Sequence, residues 1–193
     1  VSAPANVTNC PGTSTGFSVA ATGSGLTYQW YKGNSSLPGQ IGSSLMLNNV
    51  STADAGIYSV VVSGVCGSGV TNSASLTVTP TAVVSAPPAD VITCAGTSAR
   101  FDVVATGAGL TLQWYKDSSV LPGQTSSSLV LGSVSAADVG NYSVVVSGTC
   151  GNAVTNSASL TVNQNVVVSS AAASVTNCPG ATANFSVSAN GTG

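Results

Sequence analysis

The chain has no histidine and no glutamate, and only eight of its 193 residues carry a charge. These are Asp54, Asp90, Asp102, Asp117, Asp138, Lys32, Arg100 and Lys116. Without His or Glu, neither a nucleophile–base triad nor a carboxylate pair can be assembled. No Gly-rich phosphate loop leads from a strand into a helix. A non-enzyme with no catalytic residue and no cofactor is therefore expected. Zinc is excluded as well, because the five cysteines form no Cys-x-x-Cys and no imidazole could complete a set. A net charge of −2 leaves no electrostatic footprint for nucleic acid or an anionic membrane. No apolar run reaches the length of a membrane span, so no membrane insertion is expected. No signal-peptide pattern opens these residues, and residue 1 is expected to be an internal start after an N-terminus that is removed or lies outside them. Ordinary surfaces are roughly a quarter charged, whereas here the charged fraction is 4%. The surface must be Ser, Thr, Asn and Gly, which suits association with copies of itself or a coat of sugar.

What is present is a repeat. Cys10, Cys94 and Cys178 are spaced by 84 residues, and so are Trp30 and Trp114, Tyr58 and Tyr142, Cys66 and Cys150. Residues 10–78 and 94–162 are identical at 48 of 69 positions without a gap. Such a period must be read before any local pattern. Within it the apolar spacing is two. Phe17, Val19 and Ala21 alternate with small residues, as do Leu26, Tyr28 and Trp30, then Tyr58, Val60 and Val62, then Ala74, Leu76 and Val78. Pro11-Gly12, Gly23-Ser24-Gly25, Pro38-Gly39 and Gly67-Ser68-Gly69 punctuate these runs. The fold class is all-β, a tandem of sandwiches. The expected domains are 1–80, 81–164 and a partial third copy at 165–193. Beyond one turn around Ser51–Ala55 nothing supports a helix. Regularly spaced cysteines without a cytosolic redox motif point to disulfides and an extracellular, secreted or cell-surface location.

Trp30-Tyr31-Lys32, Leu45-x-Leu47-x-x-Val50, Asp54-x-Gly56-x-Tyr58 and Ala74-x-Leu76-x-Val78 together resemble an immunoglobulin-like domain of the I-set type. The tandem Ser/Thr-rich form is similar to bacterial cell-surface Ig-like repeats. The resemblance places strands A, A′, B, C, E, F and G of the first copy near 1–4, 6–9, 14–21, 26–32, 43–48, 57–63 and 70–79. It implies a core built on Trp30, Tyr58, Val19 and Val60, with Trp114, Tyr142, Val103 and Val144 as counterparts. It also exposes a departure. The family's disulfide joins the middles of strands B and F, but valines stand there: Val19 and Val60, Val103 and Val144. The third copy supplies only A, A′ and B, with Cys178, Phe185 and Val187. It is expected to be part of a longer array, or to be completed by strand addition from a neighbour.

In the frame this resemblance supplies, Cys66 lies six residues past Val60, roughly 20 Å at ~3.3 Å per residue. Cys10 lies nine residues before Val19, towards the opposite end of the sandwich. A Cys10–Cys66 bond would have to span roughly 30 Å, against about 7 Å between the Cα atoms of a disulfide. In a head-to-tail array an interdomain Cys10–Cys150 bond is the favoured pairing. Cys66, Cys94 and Cys178 would then find partners outside the chain. The alternatives are Cys10–Cys66 with Cys94–Cys150, and links between molecules.

Other residues carry weaker expectations. Tyr31 and Tyr115 stand beside Gln29 and Gln113 as possible glycan contacts, with the Gly33–Gln40 loop. Asn6, Asn34, Asn49, Asn141, Asn184 and Asn190 head Asn-x-Ser/Thr sequons and are possible glycosylation sites. Asp54 and Asp138 read as acceptors for turn N–H groups, since one carboxylate per copy is too few for calcium. The functional expectation is a non-catalytic structural segment of an extracellular tandem fibre, whose partners are copies of itself or adjacent repeats. The alternative is an adhesin stalk or a glycan-binding accessory module.

Overall fold

The architecture comes from a computed structural model that describes residues 1–192. The chain divides into two compact units. The first holds Val1–Val83 together with Thr106–Leu110 and Ser147–Ala153. The second holds Val84–Ala105, Thr111–Val146 and the chain from Val154 onward.

In the first unit the alternating runs become strands β1 (Val7–Asn9), β2 (Thr15–Ser18), β3 (Thr27–Lys32), β4 (Ser35–Ser36), β5 (Ser44–Leu47), β6 (Gly56–Ser63) and β7 (Val70–Val78). One sheet has the order β1-β7-β6-β3-β4 and the other pairs β2 with β5. Register follows the alternation: Trp30 stands opposite Val60, and Phe17 opposite Leu45. A one-residue slip would turn every apolar side chain to water, so the pattern fixes the pairing. Strand β1 runs parallel to β7, with Val7 opposite Leu76. Phe17, Val19, Trp30, Leu45, Val50, Tyr58, Val60, Val62 and Leu76 fill the space inside. The Phe17 ring lies 6.2 Å from that of Trp30 and 5.2 Å from that of Tyr58. Both polar tips are satisfied. Trp30 Nε1 donates to the Gly42 carbonyl at 2.9 Å, and the Tyr58 hydroxyl donates to the Asp54 carbonyl at 2.8 Å.

The second copy of the repeat holds β8 (Val83–Ala86), β9 (Val91–Cys94), β10 (Ala99–Asp102), β11 (Val104–Thr106), β12 (Thr111–Lys116), β13 (Ser119–Val120), β14 (Ser128–Leu131), β15 (Gly140–Ser147) and β16 (Val154–Asn163). Its large sheet runs β13-β12-β15-β16-β9, with β10 on β14 and β11 on β8. Phe101, Val103, Trp114, Leu129, Val134, Tyr142, Val144 and Leu160 are buried. The valines at the B and F positions are thus core residues in both copies.

Three features differ from the sequence reading. Strand B, expected as one run over 14–21, is broken at Val19 and again at Val103. There the backbone N–H still bonds the Ser43 or Ser127 carbonyl at 2.9 Å, in register with β5 or β14, and beyond it the strand passes to another partner. After the break Ala20 bridges Ser2, and β11 pairs with β8. The two-residue strands β4 and β13 had no apolar signal to betray them. Among the described residues of the third copy only β17 (Val167–Ser170) and β18 (Ser188–Asn190) form, as an antiparallel pair. The expected A′ strand is missing because A′ needs a parallel G strand beside it, as β1 has β7. Phe185 is 66% exposed where its counterpart Phe17 is 3% exposed.

The Tyr58 hydroxyl has one partner inside the fold. Tyr58→Phe should leave the Asp54 carbonyl unpaired and lower stability by about 1–2 kcal/mol. The decrease is read from the urea midpoint at unchanged m-value.

Candidate functional site: cysteines on two kinds of turn

Cys10, Cys94 and Cys178 begin the same turn. The Cys10 carbonyl accepts the Thr13 N–H at 3.3 Å and the Thr13 hydroxyl at 2.6 Å. Thr97 repeats this on Cys94, and the Ala181 N–H does so on Cys178 at 3.1 Å. Gly12, Gly96 and Gly180 occupy the third position with φ of 79°, 84° and 86°. That is the left-handed corner of a type II turn, which a side chain would strain. The Gly12 N–H is tied to the Val50 carbonyl at 2.8 Å, so this corner is anchored to the sandwich.

Cys66 and Cys150 sit on the second kind of turn, after β6 and β15. Each is followed by a glycine of positive φ, Gly67 at 94° and Gly151 at 88°. The preceding residue ties back across the turn: Val65 N–H to the Ser24 carbonyl at 3.1 Å, Thr149 N–H to the Ala108 carbonyl at 2.9 Å.

The first unit contains members of both kinds, and two of them are bonded. Cys10 and Cys150 form a disulfide with 5.5 Å between their Cα atoms, across a sequence separation of 140. Cys66, Cys94 and Cys178 are free and exposed. The pairs Cys10–Cys66 and Cys94–Cys150, held open above, are therefore not formed. Around the bond Cys150 is only 3% exposed. Its carbonyl accepts the Ala82 N–H at 3.4 Å. The Thr81-Ala82 segment is pressed against glycines. A Cβ on Gly107 would come within 2.8 Å of the Thr81 carbonyl oxygen, and one on Gly148 within 3.1 Å of the Ala82 Cβ. Sequence reasoning missed this seat. The glycines were visible as turn signals, but nothing in their spacing said that backbone would pack against them.

The carboxylates serve turns. Asp54 Oδ2 accepts the Ser51 N–H and the Ser51 hydroxyl, both at 2.8 Å. Asp138 does the same for Ser135. These bonds, the backbone one foremost, hold both carboxyls below their ordinary range. Asp90 is held down by the Ser159 N–H at 2.7 Å. Asp102 is held down by Arg100 and then Ser128. The cations are placed as simply. Lys32 Nζ donates to the Ala53 carbonyl at 2.6 Å, and Lys116 Nζ to that of Ala137 at 2.5 Å. Among the described residues no cluster of three His, Cys, Asp or Glu side chains could hold a metal. No described helix is long and apolar enough to cross a membrane.

Tyr31 and Tyr115 are half-buried at matching places on β3 and β12. Tyr31 stands opposite Ser36 and Ser59. It is not among the residues lining the first unit's cavity of about 420 Å³. The six sequon asparagines are all exposed. The Asn6 carboxamide is engaged by the Ser75 N–H at 2.9 Å.

No protein-family model and no curated protein matches the chain in sequence. Solved structures do match in shape. The I67–I69 fragment of the titin I-band superposes with a TM-score of 0.76 at 22% identity, over 99% of this chain and 74% of that one. The first two Ig domains of DIP-gamma give 0.62 at 17% identity, over 84% and 95%. Extracellular domains 3–5 of Drosophila OTK give 0.58 at 19%, over 83% and 60%. At such identities the likeness establishes the fold. The chain is a tandem of immunoglobulin-like β-sandwiches with an 84-residue repeat and an incomplete third copy.

A carboxyl whose folded pKa is depressed contributes stability above its unfolded value, and that contribution is lost as pH falls through the folded value. Asp54, Asp90, Asp102 and Asp138 all have this sign. With no His and no Glu, nothing of ordinary pKa titrates between about pH 5 and 7. The urea midpoint should be flat across that window and fall below about pH 4. A drop centred near pH 6 would contradict the assignment.

Proposed function

We propose that the chain is a non-catalytic, load-bearing segment of an extracellular fibre built from bacterial Ig-like repeats of the I-set type, bounded at 1–80, 81–164 and 165–193. The observation that carries this reading is the Cys10–Cys150 bond. It joins the first kind of turn in one repeat to the second kind in the next. Carried forward by one period, the rule pairs Cys94 and Cys178 with the second-type turns of following repeats, and Cys66 with the first-type turn of a preceding one. A disulfide framework of this kind belongs to an oxidising compartment. The near absence of charge lets copies pack side by side without repulsion. Loop closure over this separation stabilises the folded chain by ~5 kcal/mol in the chain-entropy account.

The bond also redirects force. Tension applied at the two ends passes from Cys10 directly to Cys150, and residues 11–149 carry none of it. The load-bearing stretch from Cys150 to Cys178 is 28 residues, about 100 Å when fully extended.

A second reading, glycan binding by an adhesin stalk, draws on Tyr31 and Tyr115, which recur half-buried at the same strand position. Glycan-array binding by a dispersed monomer, without filaments in negative stain, would favour it over the fibre.

Single-molecule pulling tests the fibre reading directly. Stretched between its ends, the oxidised chain should release only the segments outside the disulfide. Adding a reductant should lengthen the extended chain by roughly 500 Å, at about 3.6 Å for each freed residue. An equal length with and without reductant would overturn the proposal.

A further inference from the structure

The two halves of the Cys10–Cys150 bond are unequally exposed. Cys150 is 3% exposed, whereas Cys10 is half-buried at the start of its turn. What covers Cys150 is the segment Thr81-Ala82. The Ala82 N–H donates to the Cys150 carbonyl at 3.4 Å, and a Cβ on the neighbouring Gly151 would meet the Thr81 Cβ at 3.2 Å. A thiolate that opens a disulfide must reach one sulfur and expel the other as the leaving thiolate. Burial closes that approach at Cys150 and leaves it open at Cys10.

Both cysteines are also held by contacts that involve no sulfur. The Thr79 N–H donates to the carbonyl of Asn9, the residue before Cys10, at 2.9 Å. Three residues further on, Ala82 grips Cys150, so the stretch Thr79–Ala82 braces both partners at once. The Cys10 turn is tied to the Val50 carbonyl through the Gly12 N–H, and the Cys150 turn to the Ala108 carbonyl through the Thr149 N–H. Opening the disulfide leaves all of these bonds in place and keeps the two Cα atoms near their 5.5 Å separation. A thiolate held that close acts at an effective concentration far above that of a thiol in solution.

We propose that Cys10 is a thiolation site for low-molecular-weight thiols and that Cys150 is its resolving thiol, so that the bond closes again after attack. The inference rests on the Cys10–Cys150 pairing that carries the fibre reading. In the opening step an external thiolate attacks Cys10 Sγ. A new S–S bond joins it to Cys10, the old one breaks, and the electron pair leaves on Cys150 Sγ. In the closing step the Cys150 thiolate attacks the same Cys10 sulfur and expels the external thiolate. The two steps cancel, with no net oxidation. Starting from the reduced pair, the Cys10 thiolate attacks a glutathione disulfide and releases one glutathione thiol, and Cys150 then releases the other. Two electrons and two protons leave the cysteine pair, and one glutathione disulfide becomes two thiols.

The test is the full chain, reduced, freed of reductant and given oxidised glutathione, beside Cys10→Ser and Cys150→Ser. Each sample is alkylated over time, digested and mapped without further reduction. The exposed thiols of Cys66, Cys94 and Cys178 serve as internal standards, and tryptophan fluorescence reports whether the cores around Trp30 and Trp114 are intact. In the unsubstituted chain Cys10 and Cys150 should be recovered joined, with no glutathione accumulating on either. Cys150→Ser should carry glutathione on Cys10. Cys10→Ser should take it up on Cys150 at least about ten-fold more slowly than on the standards, as burial requires. A lasting glutathione cap on Cys10 in the unsubstituted chain, an uncapped Cys10 in Cys150→Ser, or a Cys150 capped as fast as the standards would each overturn the proposal. A digest of the chain before reduction separates the two failures. If the Cys10–Cys150 peptide is present there while the caps fall elsewhere, only the thiolation site falls. If it is missing, the pairing beneath it falls too.

Discussion

The structure depends on the burial of one indole. Trp30, like Trp114, is fully enclosed between two small sheets, and no disulfide crosses the sandwich to hold them together around it. Apolar contact does that work: Phe17 against Tyr58, Val19 and Val60 at the positions a cross-sheet bond would take, and the Trp30 N–H satisfied by the Gly42 carbonyl. Side chains of Trp, Phe and Val contribute ~1.5–3 kcal/mol each on burial, so an interior of this kind holds without a staple. Every later property follows from that sufficiency.

Because the core needs no sulfur, the cysteines are available to the turns. Glycines with left-handed φ fix where each turn points, and bonds such as Gly12 to Val50 tie the turn to the sandwich. A thiol placed this way is held in position before it meets its partner, which lowers the ordering cost of bond formation. The scarcity of charge works in the same direction. Of the eight charged side chains, Asp54 and Asp138 close the turns beside Tyr58 and Tyr142, and Lys32 and Lys116 donate to carbonyls there. Little charge is left to set one copy against another. Among the described residues the one ion pair, Arg100 with Asp102, is largely exposed and contributes little.

The strands were legible in the sequence because burial on one face writes a period of two into it, and Phe17, Trp30, Val60 and Leu76 carry that period without exception. The corner closed by the Tyr58 hydroxyl on the Asp54 carbonyl was legible from Asp54, Gly56 and Tyr58. The break in strand B was not, since Val19 keeps both the alternation and the register with Ser43, and only from Ala20 does the chain pair with Ser2 instead. Nor were the strands at Ser35–Ser36 and Ser119–Val120, whose side chains are exposed. The pairing of Cys10 with Cys150 was legible from the repeat and the strand frame, but the unequal burial of Cys66 and Cys150 was not. They lie in nearly the same local sequence, yet one is exposed and the other buried and bonded. The difference comes from Thr81, Ala82 and Cys10, which approach one cysteine and not the other. No window of residues around either cysteine contains that information.

The closed loop between Cys10 and Cys150 bears on how the protein survives damage. Lys32, Arg100 and Lys116 are the only basic residues in the chain, and all three lie inside that loop. A protease that cuts after lysine or arginine can therefore open the backbone only where the disulfide bypasses the cut. One such nick leaves both halves joined, and a fibre of these repeats would stay continuous through a cleavage that would sever an ordinary chain.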